Sequence, residues 1–416
     1  MSERLQVPRG TYDVLPDDAD ARAALETTVR RILGGAGFRR IETPAFEYTD
    51  VFARGVGVST DIVQKEMYTF DDGGGRSVTL RPEGTAPVCR AYAEHGMHKL
   101  PQPVKLWYLS SFFRQEKPQA GRFRQFWQIG AEAIGSDDPA VDAEIIALLA
   151  TLLAELEVGG LRLRIASLGT LEARQAYRDR LQAHLRARAG ELSEDVRSRI
   201  GLNPLRAFDS DHPGTQAVMQ DAPLLLDNLD AADAEHFASV RELLDRAGID
   251  YEVDATLVRG LDYYTRTVFE FTSDALGAQS GVAGGGRYDG LVEMLGGPAT
   301  PGCGFAAGIE RMLLASTGLP VGAPPVDLYV GFESSRQRAT AFAVVDEARR
   351  ARLNAQVELA GRSRKGQLKH ADRIGARYVA LVGDDMTVLK DMQAGEQRDL
   401  AAGEIVARVL RDRGMR

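Results

Sequence analysis

Cysteine is scarce in this sequence. Of its 416 residues only Cys89 and Cys303 are cysteines, too few for a disulfide framework and not spaced as a CxxC metal site. We interpret both as structural thiols in a reducing cytosol. Long apolar runs are missing too, since none approaches the roughly 20 residues that span a bilayer. The first ten residues, MSERLQVPRG, lack the apolar segment of a signal peptide. The sequence therefore predicts a cytoplasmic protein.

A strong charge of one sign is also absent. The net charge is −8, which excludes a general polyanion-binding protein. The charge is unevenly distributed: residues 327–416 contain 17 basic and 13 acidic side chains, a balance of +4, which leaves −12 for the rest of the chain. A basic C-terminal segment on an acidic body is compatible with a nucleic-acid partner and equally with ordinary variation of surface charge.

The order of strand-like and helical segments indicates two domains. Three prolines and two glycines within residues 318–326 predict a boundary, with one domain over 1–325 and another over 326–416. Alternating strands and helices predict a small α/β C-terminal domain, whereas the strand-rich first domain predicts α+β with an antiparallel sheet. Residues 169–250 predict a helical insertion. Near the N-terminus, Asp17 and Asp18 are predicted to cap the first helix.

The richest segment is a predicted hairpin over residues 104–135, whose arms flank a long basic loop. Strand alternation places Arg114 and Glu116 on one face of the first arm. In the second arm it places Gln128 and Glu132 on one face and Trp127 on the other. A cation, an amide and a carboxylate on one face can hold a zwitterion beside a phosphate, because the planar guanidinium matches phosphate oxygens. The alternative is an ordinary solvated face.

Four further segments carry candidate residues, and each also has a structural reading. In TLRPEGTAPVCR, Glu83 and Thr85 flank Gly84 and could hold an ammonium group or form an ordinary turn with a helix cap. LVRGLDYYTRTVFEF supplies Arg259, Tyr263 and Tyr264. One of the two tyrosines could pack in the core while the other faces a binding site. The glycines of GVAGGGRYDGL permit close approach of a ligand. PGCGFAAGIERMLLA places Arg311 near a helix start, as an anion site or a packing contact.

Together these segments, in this order, resemble the histidyl-tRNA synthetase family of class II aminoacyl-tRNA synthetases, in its bacterial form. The resemblance runs from RGTYDVLPDD, at about Arg9, to the C-terminus. GFRRIETPAFEYTDVF resembles class II motif 1, which is the dimer element. SSFFRQE and its following strand resemble motif 2, and GFAAGIERML resembles motif 3. LVRGLDYYTRTVFEF and GGGRYDG resemble the two peptides peculiar to histidine enzymes, which makes the match specific.

The resemblance implies a fold, a reaction and partners. The expected fold is a six-stranded antiparallel class II catalytic sheet with a helical insertion, followed by a C-terminal α/β anticodon-binding domain. The expected reaction activates L-histidine with ATP, accompanied by Mg²⁺, to histidyl-adenylate and pyrophosphate, and then transfers histidine to the 3′ end of its tRNA. The family also implies a homodimer. No protein side chain is assigned as a metal ligand.

The resemblance also assigns residues. For histidine binding it implies the following residues: Glu83, Gly84, Thr85, Gln128, Glu132, Tyr263 and Tyr264. Among these, Glu83, Thr85 and Gln128 are expected to hold the α-amino group, with the imidazole against Glu132 and Tyr264. For ATP it implies Arg114 at the α-phosphate, Arg311 on the γ-phosphate side, Arg122 in the motif 2 loop, and Arg259. We expect Arg114 and Arg259 to be catalytic, the latter supplying the charge that a metal ion provides in other class II enzymes.

Two other functions remain as alternatives. One is the non-catalytic regulatory subunit of ATP phosphoribosyltransferase, a synthetase-like paralogue in some bacteria. Such paralogues generally lack the anticodon domain and parts of the histidine peptides, whereas this chain has residues 326–416 and retains Arg259, Tyr264 and Arg311. The other is an RNA-binding module with an inactive site. Histidine-dependent pyrophosphate exchange would separate the three functions.

Overall fold

A computed structural model describes residues 4–57, 60–257, 260–277, 280–318 and 325–414. The chain divides into two compact units, Met1–Val321 and Gly322–Arg416. Helices and a largely antiparallel sheet make up the first unit, so the predicted α+β class is confirmed. Within the described residues, no helix has both the length and the apolar composition needed to cross a membrane.

The strands of the first unit form two sheets. In chain order they are β1 (Arg39–Arg40), β2 (Phe46–Tyr48), β3 (Tyr68–Asp71), β4 (Ser77–Leu80), β5 (Val104–Phe113), β6 (Gln125–Ile134), β7 (Leu161–Ser167), β8 (Glu252–Val253), β9 (Thr265–Ser273), β10 (Gly281–Arg287) and β11 (Gly302–Gly308). The large sheet has the order β1-β5-β6-β11-β10-β9-β7-β8 and the small one β2-β4-β3. The six inner strands of the large sheet are antiparallel, as expected, but β1 and β8 add a parallel strand at each edge.

The helices of the first unit surround this large sheet. They are α1 (Pro16–Gly35), α2 (Thr49–Gly55), α3 (Thr85–Glu94), α4 (Pro139–Glu155), α5 (Leu171–Ala187), α6 (Glu194–Arg199), α7 (Pro213–Gln220), α8 (Ala231–Arg246), α9 (Leu291–Met294) and α10 (Ile309–Ala315). Single turns of 3₁₀ or π helix occur at Ile62–Glu66, Met97–Lys99, Ala189–Glu191, Pro204–Asp209, Leu226–Asn228 and Asp274–Leu276. Helix α1 begins earlier than predicted: its N-cap is Leu15, two residues before Asp17, and Asp17 and Asp18 lie in the first turn without capping it.

The two faces of the large sheet have different neighbours. One face packs against α1, α4 and α8, with Trp107 and Ile129 in the shared core. The opposite face carries Tyr108, which belongs with Tyr288, directly after β10, to a second core with α3, α5, α6 and α7. Because side chains alternate along a strand, this division leaves Gln128 and Glu132 on the second face, where the candidate site lies.

The second unit is a small α/β fold. Its strands are β12 (Leu328–Phe332), β13 (Ala355–Val357), β14 (Tyr378–Val382), β15 (Thr387–Asp391) and β16 (Gln397–Leu400), in the order β13-β12-β14-β15-β16. Its helices are α11 (Arg338–Arg350), α12 (Arg364–Arg373) and α13 (Ile405–Asp412), with a 3₁₀ turn at Ala402–Glu404. The first three strands are parallel and the last two antiparallel. The sequence predicted the parallel strands and the helices but not β15 and β16.

A buried ion pair ties β10 to α4 and α8. Nη2 of Arg287 donates to Oδ1 of Asp142 at 2.6 Å, and Nε donates to Oδ2 at 3.2 Å; neither side chain is exposed. His236 on α8 lies 2.7 Å from Oδ2 of the same carboxylate. Burial alone would raise the pKa of Asp142, but hydrogen bonding to His236 and the charge of Arg287 hold it below its ordinary value.

We expect Arg287→Leu to lower the free energy of unfolding by about 3–5 kcal/mol, because it leaves a carboxylate buried without its main counter-ion. The double variant Arg287→Leu/Asp142→Leu should lose less than the single one, since it removes both charges and leaves neither uncompensated. If the double variant were as unstable as Arg287→Leu, lost packing and not the uncompensated charge would account for the loss in the free energy of unfolding.

Both tryptophans, Trp107 and Trp127, lie in the first unit and report its unfolding. Urea denaturation followed by their fluorescence therefore measures the effect in the unit that contains Arg287. The matched control is Arg162→Leu, which removes an exposed arginine paired with Asp274 and should cost less than about 1 kcal/mol. A loss for Arg287→Leu as small as that of the control would contradict the prediction.

Candidate active site

A cavity with a volume of about 850 Å³ opens on the second face of the large sheet. Nine of the residues predicted from the sequence line it: Glu83, Gly84, Thr85, Arg114, Arg122, Gln128, Tyr263, Tyr264 and Arg311. These residues come from four separated segments of the chain, at 83–85, 114–128, 263–264 and 311. The fold thus brings the acidic and basic candidates into one space.

A buried carboxylate organises the turn before α3. Glu83 accepts hydrogen bonds from the backbone N–H groups of Thr85 at 2.8 Å and Ala86 at 3.0 Å, so it caps the helix that begins at Thr85. The hydroxyl of Tyr263 lies 3.5 Å from its Oε2. Burial raises the pKa of Glu83, and the backbone donors lower it in part. A cation from the substrate would stabilise the ionised form here.

Glu132 lies fully buried behind the wall of the cavity. Its Oε1 accepts from the hydroxyl of Thr85 at 2.9 Å, with Tyr108 at 3.4 Å, and its Oε2 accepts from Tyr288 at 2.7 Å. Burial raises the pKa of Glu132 to about 8, and these hydroxyl groups, Tyr288 first, limit the rise. A carboxylate has about four lone-pair sites, so a further donor can still be accepted. In the described structure Glu132 is not itself a lining residue, although Thr85 and Tyr288 are.

Gln128 presents an unsatisfied acceptor. Its Oε1 is buried and has no hydrogen-bond partner among the described residues, and its side chain lines the cavity. A buried polar atom without a partner costs free energy, which a ligand donor would recover. The amide is therefore placed to accept a hydrogen bond from a bound molecule.

Glycines make room for the aromatic rings around Glu132. A Cβ added at Gly84 would lie 2.4 Å from the ring of Tyr108, and one at Gly130 would lie 2.1 Å from it. A Cβ at Gly302 would similarly meet Tyr288 at 2.4 Å. A Cβ added at Gly285, in the glycine run of β10, would lie 2.0 Å from the backbone oxygen of Gly304, so the neighbouring strand requires glycine there. Gly284 of the same run lines the cavity, where the sequence predicts close approach of a ligand.

Guanidinium groups form a second part of the cavity lining. Arg114 donates through Nε to the carbonyl oxygen of Pro82 at 2.9 Å and lies 5.3 Å over the ring of Phe126. Arg122 pairs with Glu116 at 3.3 Å. Burial lowers the pKa of Arg311, and the neighbouring charge of Arg122 lowers it further. Several cations converging on one cavity can hold a polyphosphate.

Comparisons with known proteins identify the family of this chain. A family model described as histidyl-tRNA synthetase matches residues 10–312. The chain belongs to the histidyl-tRNA synthetase family. The histidine–tRNA ligase of Halorhodospira halophila is 49% identical over 405 residues, 95% of each chain. That of Desulforamulus reducens is 45% identical over 408 residues, 96% of this chain and 97% of the relative.

Solved structures give the same assignment. The apo histidyl-tRNA synthetase of S. aureus superimposes with a TM-score of 0.81 at 35% identity, covering 98% of this chain and 100% of that one. Membership of the histidyl-tRNA synthetase family confirms the predicted fold class and the class of enzyme, an aminoacyl-tRNA synthetase that uses ATP. The roles of individual residues rest on their placement in the cavity and are proposals.

One predicted residue cannot be placed. Arg259, expected to be catalytic, lies outside the described residues. Much of the predicted boundary at 318–326 also lies outside them, since the description stops at residue 318 and resumes at 325. Of the residues described, no group of three or more His, Cys, Asp or Glu side chains is arranged to hold a metal ion.

Sequence reasoning missed several residues of this synthetase site. Tyr288 was visible within GGGRYDG but received no role, and Tyr108 lay in a strand interpreted as framework. The insertion also contributes, because Arg199 and Arg206 line the cavity and pair with Asp61 at 3.4 and 2.6 Å. Asp61 lies 138 positions before Arg199 and 145 before Arg206, and no local pattern signals that they meet.

Proposed function

We propose that this protein is a histidine–tRNA ligase that forms histidyl-adenylate and pyrophosphate from L-histidine and ATP, and then histidyl-tRNA. The observation that carries the proposal is one cavity lined by the buried carboxylate of Glu83, the unsatisfied amide oxygen of Gln128 and several guanidinium groups. A chain of this family with such a cavity has the groups needed for both substrates.

At the acidic end we propose that the α-ammonium group of histidine binds Glu83, Thr85 and the Oε1 of Gln128. The imidazole would lie against Tyr264 and Glu132. Tyr263 would close the pocket, since its ring meets that of Tyr264 edge-on with centroids 4.8 Å apart. A site that partners both ring nitrogens rejects side chains that would leave its buried polar groups unpaired.

At the basic end we propose that Arg114 grips the α-phosphate of ATP, with Arg122 and Arg311 nearer the leaving pyrophosphate. The histidine carboxylate attacks the α-phosphorus in line, the bond to the β-phosphate oxygen breaks, and pyrophosphate departs. Catalysis of this step needs alignment and positive charge, and no protein nucleophile. Arg259 would add charge at the α-phosphate, as the resemblance implies.

Mg²⁺ is part of this proposal as the ion that accompanies ATP. Mg²⁺ at nucleotide sites is held by one or two carboxylates together with substrate phosphates, and it seldom needs a full protein cage. Glu116 and Glu270 line the cavity and are the carboxylates we propose for it. When bound, the ion would neutralise phosphate charge.

In the second step the terminal ribose hydroxyl of the tRNA attacks the activated carbonyl, and AMP leaves. We propose that residues 326–416 bind the anticodon, supported by the positive balance of that segment on an otherwise acidic chain. The body of the chain, 1–325, would be the catalytic domain, with an insertion at about 169–250. Its last helix, α8, packs against α4 in the core.

We also propose a homodimer formed through the small sheet. Phe46, Tyr48 and Phe70 on β2 and β3 are about half exposed, and the rings of Phe46 and Phe70 lie 6.4 Å apart. Adjacent exposed aromatic side chains are typical of a protein interface. A cytoplasmic location is supported by Cys89 and Cys303, which are buried free thiols.

The alternative of a regulatory subunit is less supported. The relatives that match nearly the whole chain at 45–49% identity are named ligases. The cavity also retains the groups for both substrates, which a purely regulatory role would not require.

The test is ATP–pyrophosphate exchange with each of the twenty amino acids, followed by charging of a histidine-specific tRNA transcript. We expect exchange with histidine at least about 10³-fold above the others, because the site must pair two ring nitrogens. Exchange that did not depend on histidine would refute the proposed activity. Exchange without tRNA charging would refute its second step.

A further inference from the structure

The N-terminal segment 8–12 lies directly against the loop between β5 and β6. The backbone N–H of Arg124 donates to the carbonyl oxygen of Gly10 at 2.7 Å. Nη1 of the Arg124 side chain lies 3.4 Å from the carbonyl oxygen of Arg9. Gly10 has φ +88°, and a Cβ there would lie 2.8 Å from Pro118. Only glycine fits such a conformation in so little space. The segment is therefore packed tightly against the loop that carries Arg122.

Tyr12 joins this loop to the start of α10. Its ring lies 4.5 Å from the ring of Phe123 in the loop, centroid to centroid. Its hydroxyl donates to Oε1 of Glu310 at 2.7 Å, across 298 positions of sequence. Burial raises the pKa of Tyr12 above its ordinary value, so the hydroxyl remains a donor at neutral pH. One side chain thus contacts two elements that line the cavity.

Glu310 is fixed by several donors besides Tyr12. The backbone N–H of Trp127 lies 3.1 Å from each of its carboxylate oxygens, and Nη2 of Arg22 lies 3.0 Å from Oε1. Arg22 also donates to the hydroxyl of Tyr12. Glu310 directly precedes Arg311, so these contacts fix the backbone from which that guanidinium extends.

The loop also approaches Arg311 directly. A Cβ at Gly121, at the tip of the loop, would lie 3.5 Å from Cγ of Arg311. Arg122 belongs to the β5–β6 loop and Arg311 to α10. These two elements therefore approach each other directly at Gly121, and Tyr12 joins them a second time through Phe123 and Glu310. Among the described lining residues, neither Tyr12 nor Arg22 occurs. Any effect of Tyr12 on a ligand must pass through the residues that it holds.

We infer that Tyr12 is a positioning residue for the nucleotide: by joining Phe123 to Glu310, it sets the spacing of the guanidinium groups of Arg122 and Arg311. The inference rests on the proposed function, in which these arginines bind ATP. It assigns the N-terminal segment to the ATP end of the cavity, because Tyr12 contacts no residue proposed for histidine.

Tyr12→Phe tests the hydroxyl separately from the ring, since the phenyl ring still packs against Phe123. We expect ATP affinity, measured by calorimetric titration with MgCl₂ and without histidine, to fall about 5- to 20-fold, because phosphate-binding groups lose their alignment. Histidine affinity should stay within about twofold of the wild type. Tyr12→Leu removes the ring contact as well and should lose more ATP affinity than Tyr12→Phe.

A double-mutant cycle tests whether the effect passes through Glu310. Glu310→Gln keeps the side-chain shape but weakens its hydrogen bond with the hydroxyl of Tyr12. Adding Tyr12→Phe to this variant should therefore lower ATP affinity far less than it does in the wild type. The matched control is Tyr251→Phe, which removes a hydroxyl 3.4 Å from Arg241 outside the cavity. It should leave both affinities unchanged.

Three results would overturn the inference: ATP affinity of Tyr12→Phe within twofold of the wild type, equal losses for ATP and histidine, or additive effects in the cycle. The equal losses would indicate a purely structural role. Failure of the proposed function is distinguishable, because it is measured as absence of histidine-dependent exchange in the wild type. A wild type that binds no ATP would refute both.

Discussion

Arg114→Ala is expected to lower kcat/KM for histidine-dependent pyrophosphate exchange by about 10²- to 10³-fold, as expected when a donor to developing negative charge is removed. The KM for histidine should stay within about twofold, since no residue proposed for the amino acid bonds to this side chain. Steady-state exchange kinetics with each substrate varied in turn measure both effects. The pattern follows from the position of Arg114 at the basic end of the cavity.

The structure gives the physical reason for so large an effect. Nε of Arg114 is held by the carbonyl oxygen of Pro82, and the guanidinium lies over Phe126. No hydrogen bond from its two terminal nitrogens occurs within the described residues, so they are oriented in advance and available to phosphate oxygens. Preorganised charge stabilises a transition state without a cost of reorientation during the reaction.

Two variants sharpen this test. Arg114→Lys keeps the positive charge but loses the planar fork, so it should recover only part of the activity. Arg162→Ala removes an exposed arginine outside the cavity and should retain wild-type exchange. If Arg114→Lys were fully active, charge alone would suffice and the bidentate role would be wrong. If Arg114→Ala were fully active, Arg114 would have no role in the reaction.

Glu132→Gln is the second large expected effect. We expect the KM for histidine, measured at about pH 8.5 where this carboxyl is mainly ionised, to rise about 30- to 100-fold, because the substitution replaces a charged acceptor in a buried site by a neutral amide. The KM for ATP should remain within about twofold. The matched control, Glu144→Gln, alters a partly exposed carboxylate that pairs with Lys105, and it should leave both KM values unchanged.

The pH dependence supplies an independent check of Glu132. The pKa of this carboxyl is about 8, so below pH 8 it is increasingly protonated and accepts fewer hydrogen bonds. Histidine affinity of the wild type relative to Glu132→Gln should therefore rise as the pH increases from about 6.5 through 8, and then level off. Because titration of histidine itself affects both proteins equally, it cancels in the ratio of the two affinities. A ratio independent of pH would contradict the role of this carboxylate.

The same raised pKa has the opposite consequence for stability. The folded state holds the proton of Glu132 more tightly than the unfolded chain does, so its stabilising effect is complete at low pH and is lost as the pH rises through 8. As the pH rises towards 8, ionisation of Glu132 thus improves histidine binding while its contribution to the stability of the fold decreases. A buried ionisable carboxylate here is consistent with selection for recognition at a cost in stability.

Much of the site could be predicted from local pattern. Alternation along β6 separated Gln128 and Glu132 from Trp127, and the structure confirms this division, because a pleated strand turns successive side chains to opposite faces. The prediction that Asp17 and Asp18 cap α1 was wrong, since Pro16 favours the first helical position and places the N-cap at Leu15, two residues before Asp17.

Other parts of the fold had no local signal. The small sheet escaped prediction because β2, β3 and β4 have three or four residues each, too few for a period to be recognised. Strands β15 and β16 are similarly short and partly exposed. Their formation depends on pairing with neighbours already in place, which is a tertiary effect.

The sequence by itself determined which chemical groups are available, the order of the peptides that carry them, and the face of each long strand on which they lie. Tertiary structure alone decided that Glu132 sits behind Thr85 and Tyr288, that Gly84 and Gly130 make space for Tyr108, and that Tyr12 reaches Glu310. The physical reason is that local preferences extend over a few residues. Contacts between distant segments depend instead on strand register and packing, which are set only when the whole domain folds together.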